Sequence, residues 1–398
     1  SDAFLFKDAV VTSFWYKVTS ANYSDVVRPC KVAITNRPVT VASGTKLDFT
    51  YDGKPHAYTN LTVTAGSFVA GEGISTSNWA TVTVVVEGQV PNAFDYGSIA
   101  GTKLSNYDLT VVTGKIAVVK GDLPPGDDPD PTDPTVDPDD PGQREDPAIP
   151  FSAFDYVGVY DGEAHTIDTN ALKAAYEPVF GESVTIGYMD DASGAAGVRD
   201  LPPIVRDAAV TSFWYKVSSA NYNDVVKPCK IAITNRAVTV TVVGHSISMS
   251  YDTTEKTVSG YDISTEDELY DVETMTTFSG TAVAKRTDVG TTSMGLKAEQ
   301  FANMNPNFAV TYDITDGGVT IVSRAIGDDD ANWDIRLDKA PMYNGEEQNA
   351  PIIQVCYVKP DGNLDYIPYD LEGNVATNAG NYKVKIIGKG NYSGSVEK

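Results

Sequence analysis

Residues 8–41 (DAVVTSFWYKVTSANYSDVVRPCKVAITNRPVTV) recur at 207–240 with 28 identities in 34 positions. So close a copy means one structural unit used twice, which excludes a single large fold with one central core. The displacement is 199 residues, and Tyr51-Asp52-Gly53 recurs 200 residues on as Tyr251-Asp252-Thr253. What was duplicated is therefore a pair of units, the first pair lacking its beginning.

Two marks delimit each unit. Near the start stands Tyr-Asp-Gly or a variant: Tyr51-Asp52-Gly53, Tyr160-Asp161-Gly162, Tyr251-Asp252-Thr253 and Tyr343-Asn344-Gly345. Near the end stands Asn-Tyr or a variant, at Tyr23, Tyr107, Tyr222, Phe308 and Tyr392. A strand-like stretch follows the first four of these: CKVAIT, GKIAVV, CKIAIT and GGVTIV. The marks partition the chain into the C-terminal half of a unit (1–37), a second unit (38–119), a third (150–236), a fourth (237–324) and a fifth lacking its last strand (325–398). Units of about 75–90 residues are near the lower limit for an independent core.

Residues 120–149 interrupt the series with eight Pro and ten acidic residues against two basic ones, and no aromatic. Proline stiffens such a segment and like charges extend it, so the expectation is a spacer.

Within the units the hydrophobic period is two. TVTVVV (81–86), SVTIGY (183–188), SFWYKV (212–217) and YKVKIIG (382–388) read as half-buried strands, and the Asp-Gly and Asn-Gly pairs suit tight turns. One helix is expected over Asn170–Glu177, capped by Asp168 or Thr169 and ended by Pro178, and a second short one over Lys297–Met304. The fold class is all-β: small tandem units in an elongated array, either immunoglobulin-like sandwiches or β-grasp-like sheets on one short helix. In SFWYKV, Trp15 and Trp214 or an aromatic beside them should face a core.

The net charge of −24 is spread without a basic cluster, which disfavours nucleic acid and anionic membrane surfaces as partners. No run of 18 apolar residues occurs, so no membrane-inserted helix is expected in this segment. Cys30 and Cys229 hold the same place in two copies and should not pair; with Cys356 they make no disulfide framework. No signal peptide or sorting signal is visible, and the chain reads as a piece of something longer.

Candidate chemistry is sparse. His56 and His165 follow the Tyr-Asp-Gly turn, and His245 sits in a strand-like run; none has partners at zinc spacing. No nucleophile elbow, phosphate loop or dinucleotide fingerprint occurs, so no catalytic residue and no cofactor is assigned and the chain is not expected to be an enzyme. The one candidate cation site is Asp328-Asp329-Asp330 with Asp334, where Ca²⁺ would stiffen the junction of the fourth and fifth units. The Tyr-Asp-Gly tyrosines are either ligand-contacting or packed at the edge of their unit. The Asn-Tyr tyrosines are either sugar-stacking platforms or tethers for the last strand. The packing reading is preferred for both.

The order YDGKPHAY, FVAGEG and GTKLSNYDLTVVTGKIAVV in the second unit resembles the MBG or YDG repeats of bacterial surface adhesins. FSGTAVAKRTDVGTTSMGL with NFAVTYDITDGGVTI in the fourth, and NVATNAGNYKVKIIGKGNYSGS in the fifth, are similar. Thr253 and Phe308 depart from the pattern. The resemblance implies an extracellular, cell-surface array. The expected function is then a stalk or spacer displaying other domains; the alternative is a binding module for host glycans, mucin or a matrix protein. The array should be mostly monomeric. Strand-mediated association is expected through residues 1–37, which should dock on a neighbouring unit or add to the incomplete fifth unit of another chain.

Overall fold

The computed structural model describes residues 5–123, 126–130, 151–327 and 331–398. They form many short strands, one helix of three turns (Thr169–Phe180) and one helical turn (Val272–Met275), so the chain is all-β. The described residues gather into two bodies. One is Ser1–Val157 with His165–Val205 and Val210–Ala232; the other is Gly158–Ala164, Arg206–Ala209 and Ile233–Lys398.

In the first body, the second repeat has two small sheets. Arg37–Ser43 runs between Leu61–Gly66 and Tyr107–Val112, antiparallel to the former and parallel to the latter. Lys46–Thr50 then pairs parallel with Lys115–Val119 in the other sheet. The same two chain stretches thus pass side by side from one sheet to the next, crossing at Gly44 and Gly114. They approach so closely there that a Cβ on Gly114 would stand 2.3 Å from the Gly44 carbonyl oxygen. Each sheet covers its own core: Val39, Val41 and Tyr107 with Leu61 and Phe94 in one, Val82, Ile116 and Val118 with Phe49 and Tyr51 in the other.

The third repeat takes the other expected form, one sheet on one helix. Its strands lie in the order Tyr156–Val159, Val225–Thr234, Val210–Ser218, Thr185–Met189. Asp168 caps the helix, accepting from the amides of Asn170 and Ala171, and Leu172, Tyr176 and Phe180 are its buried face. Pro178 does not end the helix as expected. Its missing N–H costs the Ala174 carbonyl its helical partner but does not break the helix, and Gly181, at φ 64°, stops it instead.

The acidic segment is not purely a spacer. Asp130 is fully buried against the third repeat, where it accepts from the Tyr215 hydroxyl at 2.6 Å and the Ser152 hydroxyl at 2.5 Å. Asp128 accepts from the Tyr176 hydroxyl at 2.8 Å and lies 3.0 Å from Lys227 Nζ. The Pro-rich stretch 131–150 lies outside the described residues.

The near-identical segments 8–41 and 207–240 meet different fates. Trp214 is 7 % exposed and Phe213 and Tyr215 are buried within the sheet, whereas Trp15 is 69 % exposed on a bare hairpin of Val11–Ser20 and Tyr23–Ala33. The expected docking of this hairpin on a neighbouring repeat does not occur. Its tie to the second repeat runs through the preceding residues Asp8 and Ala9, and the strands stay uncovered.

In the second body, the fourth repeat repeats the two-sheet plan. Arg236–Gly244 pairs parallel with Phe308–Thr315, and Ser246–Ser250 pairs parallel with Gly318–Val322. Lys297–Met304 is not helical. A single 3-10 turn at Ala298–Gln300 passes into the strand Phe301–Asn303, because buried Phe301 pairs with Phe278 across the small sheet. The fifth repeat's two three-stranded sheets are Trp333–Leu337, Ile352–Val358 and Leu364–Tyr366, and Tyr369–Glu372, Lys385–Gly388 and Ser395–Glu397. One core runs through both repeats of this body, from Tyr251, Val319 and Ile321 to Tyr357, Ile386 and Tyr392. Among the described residues no helix is long and apolar enough to cross a membrane.

Candidate functional site, a recurring joint

The two marks meet each other. The Tyr-Asp-Gly tyrosine of one repeat packs edge to face on the Asn-Tyr aromatic of the next: Tyr51 on Tyr222 at 5.1 Å, Tyr160 on Phe308 at 5.3 Å, and Tyr251 on Tyr392 at 5.3 Å. Each contact lies within one of the two bodies. The turn beneath the first tyrosine is built alike in every copy. The side chain at its second position accepts the amide two residues on, from Lys54 to Asp52, Glu163 to Asp161, Thr254 to Asp252 and Glu346 to Asn344. The third position has positive φ, which Gly53, Gly162 and Gly345 adopt freely and Thr253, at φ 70°, adopts under strain. Burial opposes ionisation of Asp252, but hydrogen bonds from Lys256 and Thr254 hold its carboxyl below the usual range.

The asparagine preceding the aromatic is the second element. Its Oδ1 accepts a backbone amide from the preceding repeat in four places: Ala9 to Asn106 at 2.8 Å, Val85 to Asn221 at 2.9 Å, Ala208 to Asn307 at 2.7 Å and Val289 to Asn391 at 2.8 Å. Its Nδ2 donates to a carboxylate. In three joints this is the acid just before that amide: Asp8 at 3.0 Å, Asp207 at 2.9 Å and Asp288 at 2.8 Å. Where Val84 stands at that place, Glu182 of the asparagine's own repeat substitutes, at 2.7 Å. The asparagine carbonyl then accepts the amide of Gly121, Arg236 or Arg324 as the chain leaves the preceding repeat. One side chain thus has donor and acceptor both satisfied, across the repeat boundary in three of the four joints, a geometry neither Asp nor Leu reproduces.

The joint explains why TVTVVV (81–86) is not a strand. Val82 makes a single bridge to His56 and is fully buried. Then Glu87 accepts the amides of Thr83 and Val84, and the chain turns to present the Val85 amide to Asn221. Electrostatics at the first joint are shaped by hydrogen bonds from Lys103 and then Asn106, which hold the Asp8 carboxyl low. At the Tyr51–Tyr222 and Tyr251–Tyr392 joints burial pushes the hydroxyls of Tyr222, Tyr251 and Tyr392 up, so these three rings stay neutral.

The remaining sequence candidates serve packing. The His56 ring stacks on Phe49 and lies 2.9 Å from Asp52, while His165 stacks on Tyr156; each flanks the same bridge in its repeat. His245 holds the Ser259 carbonyl at 2.9 Å and is 3.3 Å from Asp262, contacts that raise its pKa in that order. Of the cation candidates, Asp328, Asp329 and Asp330 lie outside the described residues. Asp334 accepts from Arg336 at 2.7 Å and Gln354 at 2.6 Å on its strand. Among the described residues no three acidic, histidine or cysteine side chains gather as metal ligands. Cys229 and Cys356 are buried free thiols, and Cys30 is half-buried.

The joint asparagine and its acid escaped the sequence reading, although a signal existed. Asp8 precedes Asn106 by 98 residues, Asp207 precedes Asn307 by 100 and Asp288 precedes Asn391 by 103.

No family model matches the chain, and no curated protein matches it. Among solved structures, a weak likeness is to the N-terminal eight Ig domains of Down Syndrome Cell Adhesion Molecule, at 7% identity and TM-score 0.17 over 94% of this chain and 51% of that one. Another is to the SGBP-B protein of the Bacteroides ovatus mixed-linkage glucan utilization locus, in complex with a heptasaccharide, at 9% identity and TM-score 0.12 over 61% of this chain and 66% of that one. The functional reading rests on the chain's own geometry.

Proposed function

We propose that this chain is a spacer segment of a bacterial cell-surface or secreted adhesin, without catalytic activity, that holds other domains away from the cell. The observation that supports this most is the joint, built four times from one asparagine and, in three of its four occurrences, a pair of aromatic rings. The recurring chemistry of the chain is spent on fixing each repeat to the next, as a stalk requires. The two candidate ligand platforms, the Tyr-Asp-Gly and Asn-Tyr tyrosines, are consumed by each other at three joints. Net charge of −24 keeps such a molecule dispersed outside the cell. The competing reading, a module for host glycans, mucin or matrix protein, is separated by a glycan-array and mucin-binding screen on the whole chain. The spacer reading expects no saturable binding. Saturable binding that survives substitution of the joint aromatics contradicts it.

A further inference from the structure

The fourth repeat begins and ends on stretches that lie side by side and run the same way. Arg236–Gly244 pairs parallel with Phe308–Thr315 over eight residue pairs, and Ser246–Ser250 with Gly318–Val322 over five more. Arg236 faces Phe308 and Ser246 faces Gly318, so the offset between partners is the same in both sheets. The two stretches touch where they cross: a Cβ on Gly317 would stand 2.3 Å from the His245 carbonyl oxygen. The ladder is closed at one end by the Arg236 amide on the Asn307 carbonyl, at 2.9 Å. At the other end the Tyr251 amide donates to the Val322 carbonyl, also at 2.9 Å. Along it Val238, Val240, Val242, Val319 and Ile321 are buried.

Strand direction decides how this repeat meets a pull. The chain enters at Arg236, at one end of the ladder, and leaves past Val322, at the other. Tension along the chain therefore draws the two stretches past each other lengthwise. Hydrogen bonds in a parallel pair are evenly spaced and cross from strand to strand, so such a load falls on all of them together. The buried valines and isoleucine must leave their packing at the same moment, and interiors this dense do not deform gradually. An antiparallel pair pulled apart at one end instead gives way one bond at a time. The same repeat contains that geometry, because Arg236–Gly244 also pairs antiparallel with Tyr261–Thr265. The ion pair of Arg236 with Asp267, at 2.5 Å, brings the start of one strand to the end of the other. The second repeat has the parallel plan in weaker form: six pairs, then three, with a register shift between Ile116 and Val118.

We infer that the first and last strands of the fourth repeat are a mechanical clamp, which holds the repeat folded against tension carried along the chain. The second repeat carries a shorter clamp of the same kind. Resistance to pulling is set by the barrier to unfolding, so the direction of a ladder raises it without raising equilibrium stability. The use of the clamp rests on the spacer reading, since a stalk bears load; the clamp itself rests only on strand direction and register.

Optical tweezers test this on the full chain, pulling on click-reactive residues placed at exposed positions. Handles at Ala237 and Val322 load the ladder lengthwise, and handles at Ala237 and Glu268 peel Arg236–Gly244 from Tyr261–Thr265. Ala237 is common to both, so a difference in force reports the direction of load. At one pulling rate the lengthwise pair should yield at a several-fold higher force. It should do so in a single step releasing about 25 nm of chain, against about 10 nm for the peeling pair. Handles at Arg37 and Val119 should open the second repeat at a force below that of the fourth. Equal forces along the two axes, stepwise yielding of the ladder at low force, or a second repeat that outlasts the fourth would each overturn the inference. These outcomes are independent of particle dimensions and of glycan binding, so the clamp and the spacer reading fail separately.

Discussion

Asn391 joins two repeats through one amide side chain, its Oδ1 2.8 Å from the Val289 amide and its Nδ2 2.8 Å from Asp288. Replacing it by Leu removes both bonds and leaves the Val289 amide without an acceptor. The expected loss is about 1–3 kcal/mol in denaturant-induced unfolding. Asn22→Leu, at the equivalent place on the uncovered hairpin, should change stability by less than about 0.5 kcal/mol. Equal effects would mean that the joint contributes nothing beyond surface contact.

Asp130 tests whether the acidic segment takes part in folding. Its carboxylate satisfies the buried hydroxyls of Tyr215 and Ser152. Asp130→Ala should therefore destabilise the third repeat by about 1–3 kcal/mol in thermal or denaturant melts. A change within about 0.5 kcal/mol would return these residues to the role of plain spacer.

These two predictions mark the border of what the sequence made legible. The repeats, their all-β character and a helix cap at Asp168 or Thr169 follow from local patterns, and the structure selects Asp168. Tyr-Asp-Gly and Asn-Tyr were visible as marks, but each looked like a feature of its own repeat. The sequence carries no sign that Tyr51 and Tyr222 meet until the fold brings them together. TVTVVV (81–86) failed as a strand because an apolar alternation cannot report that Val85's amide is drawn to a neighbouring asparagine. Asp130 was lost among the acidic residues around it, since composition averages over the one carboxylate that two hydroxyls select.

Thr253 should be improvable. It holds φ 70° where Gly53, Gly162 and Gly345 stand in the other turns, and a β-branched residue in that region is strained by roughly 1 kcal/mol. Thr253→Gly should raise stability by about 0.5–1 kcal/mol, less than the full strain because glycine also frees the unfolded chain. A loss of stability would show that the threonine makes contacts outweighing its backbone.

The first joint should weaken in acid. The Asp8 carboxyl is held below its ordinary 3.8 by hydrogen bonds from Lys103 and then Asn106. A depressed carboxylate stabilises the fold above its unfolded value, and that contribution is lost as pH falls through the folded one. Carboxylate carbon shifts should give a midpoint for Asp8 below 3.8, moving upward in Asn106→Leu yet not fully recovering, because Lys103 remains. A midpoint at or above 3.8 in the parent chain would contradict the assigned hydrogen bonds.

The spacer reading is tested most directly by small-angle X-ray scattering on the full chain, extrapolated to zero concentration so that particle dimensions are separated from self-association. A compact single globule of this length has a radius of gyration of about 21 Å. The spacer reading expects a value well above that, with a distance distribution drawn out to long vectors. A radius near about 21 Å with a symmetric distribution would contradict the account, because a chain folded back on itself cannot hold its ends apart.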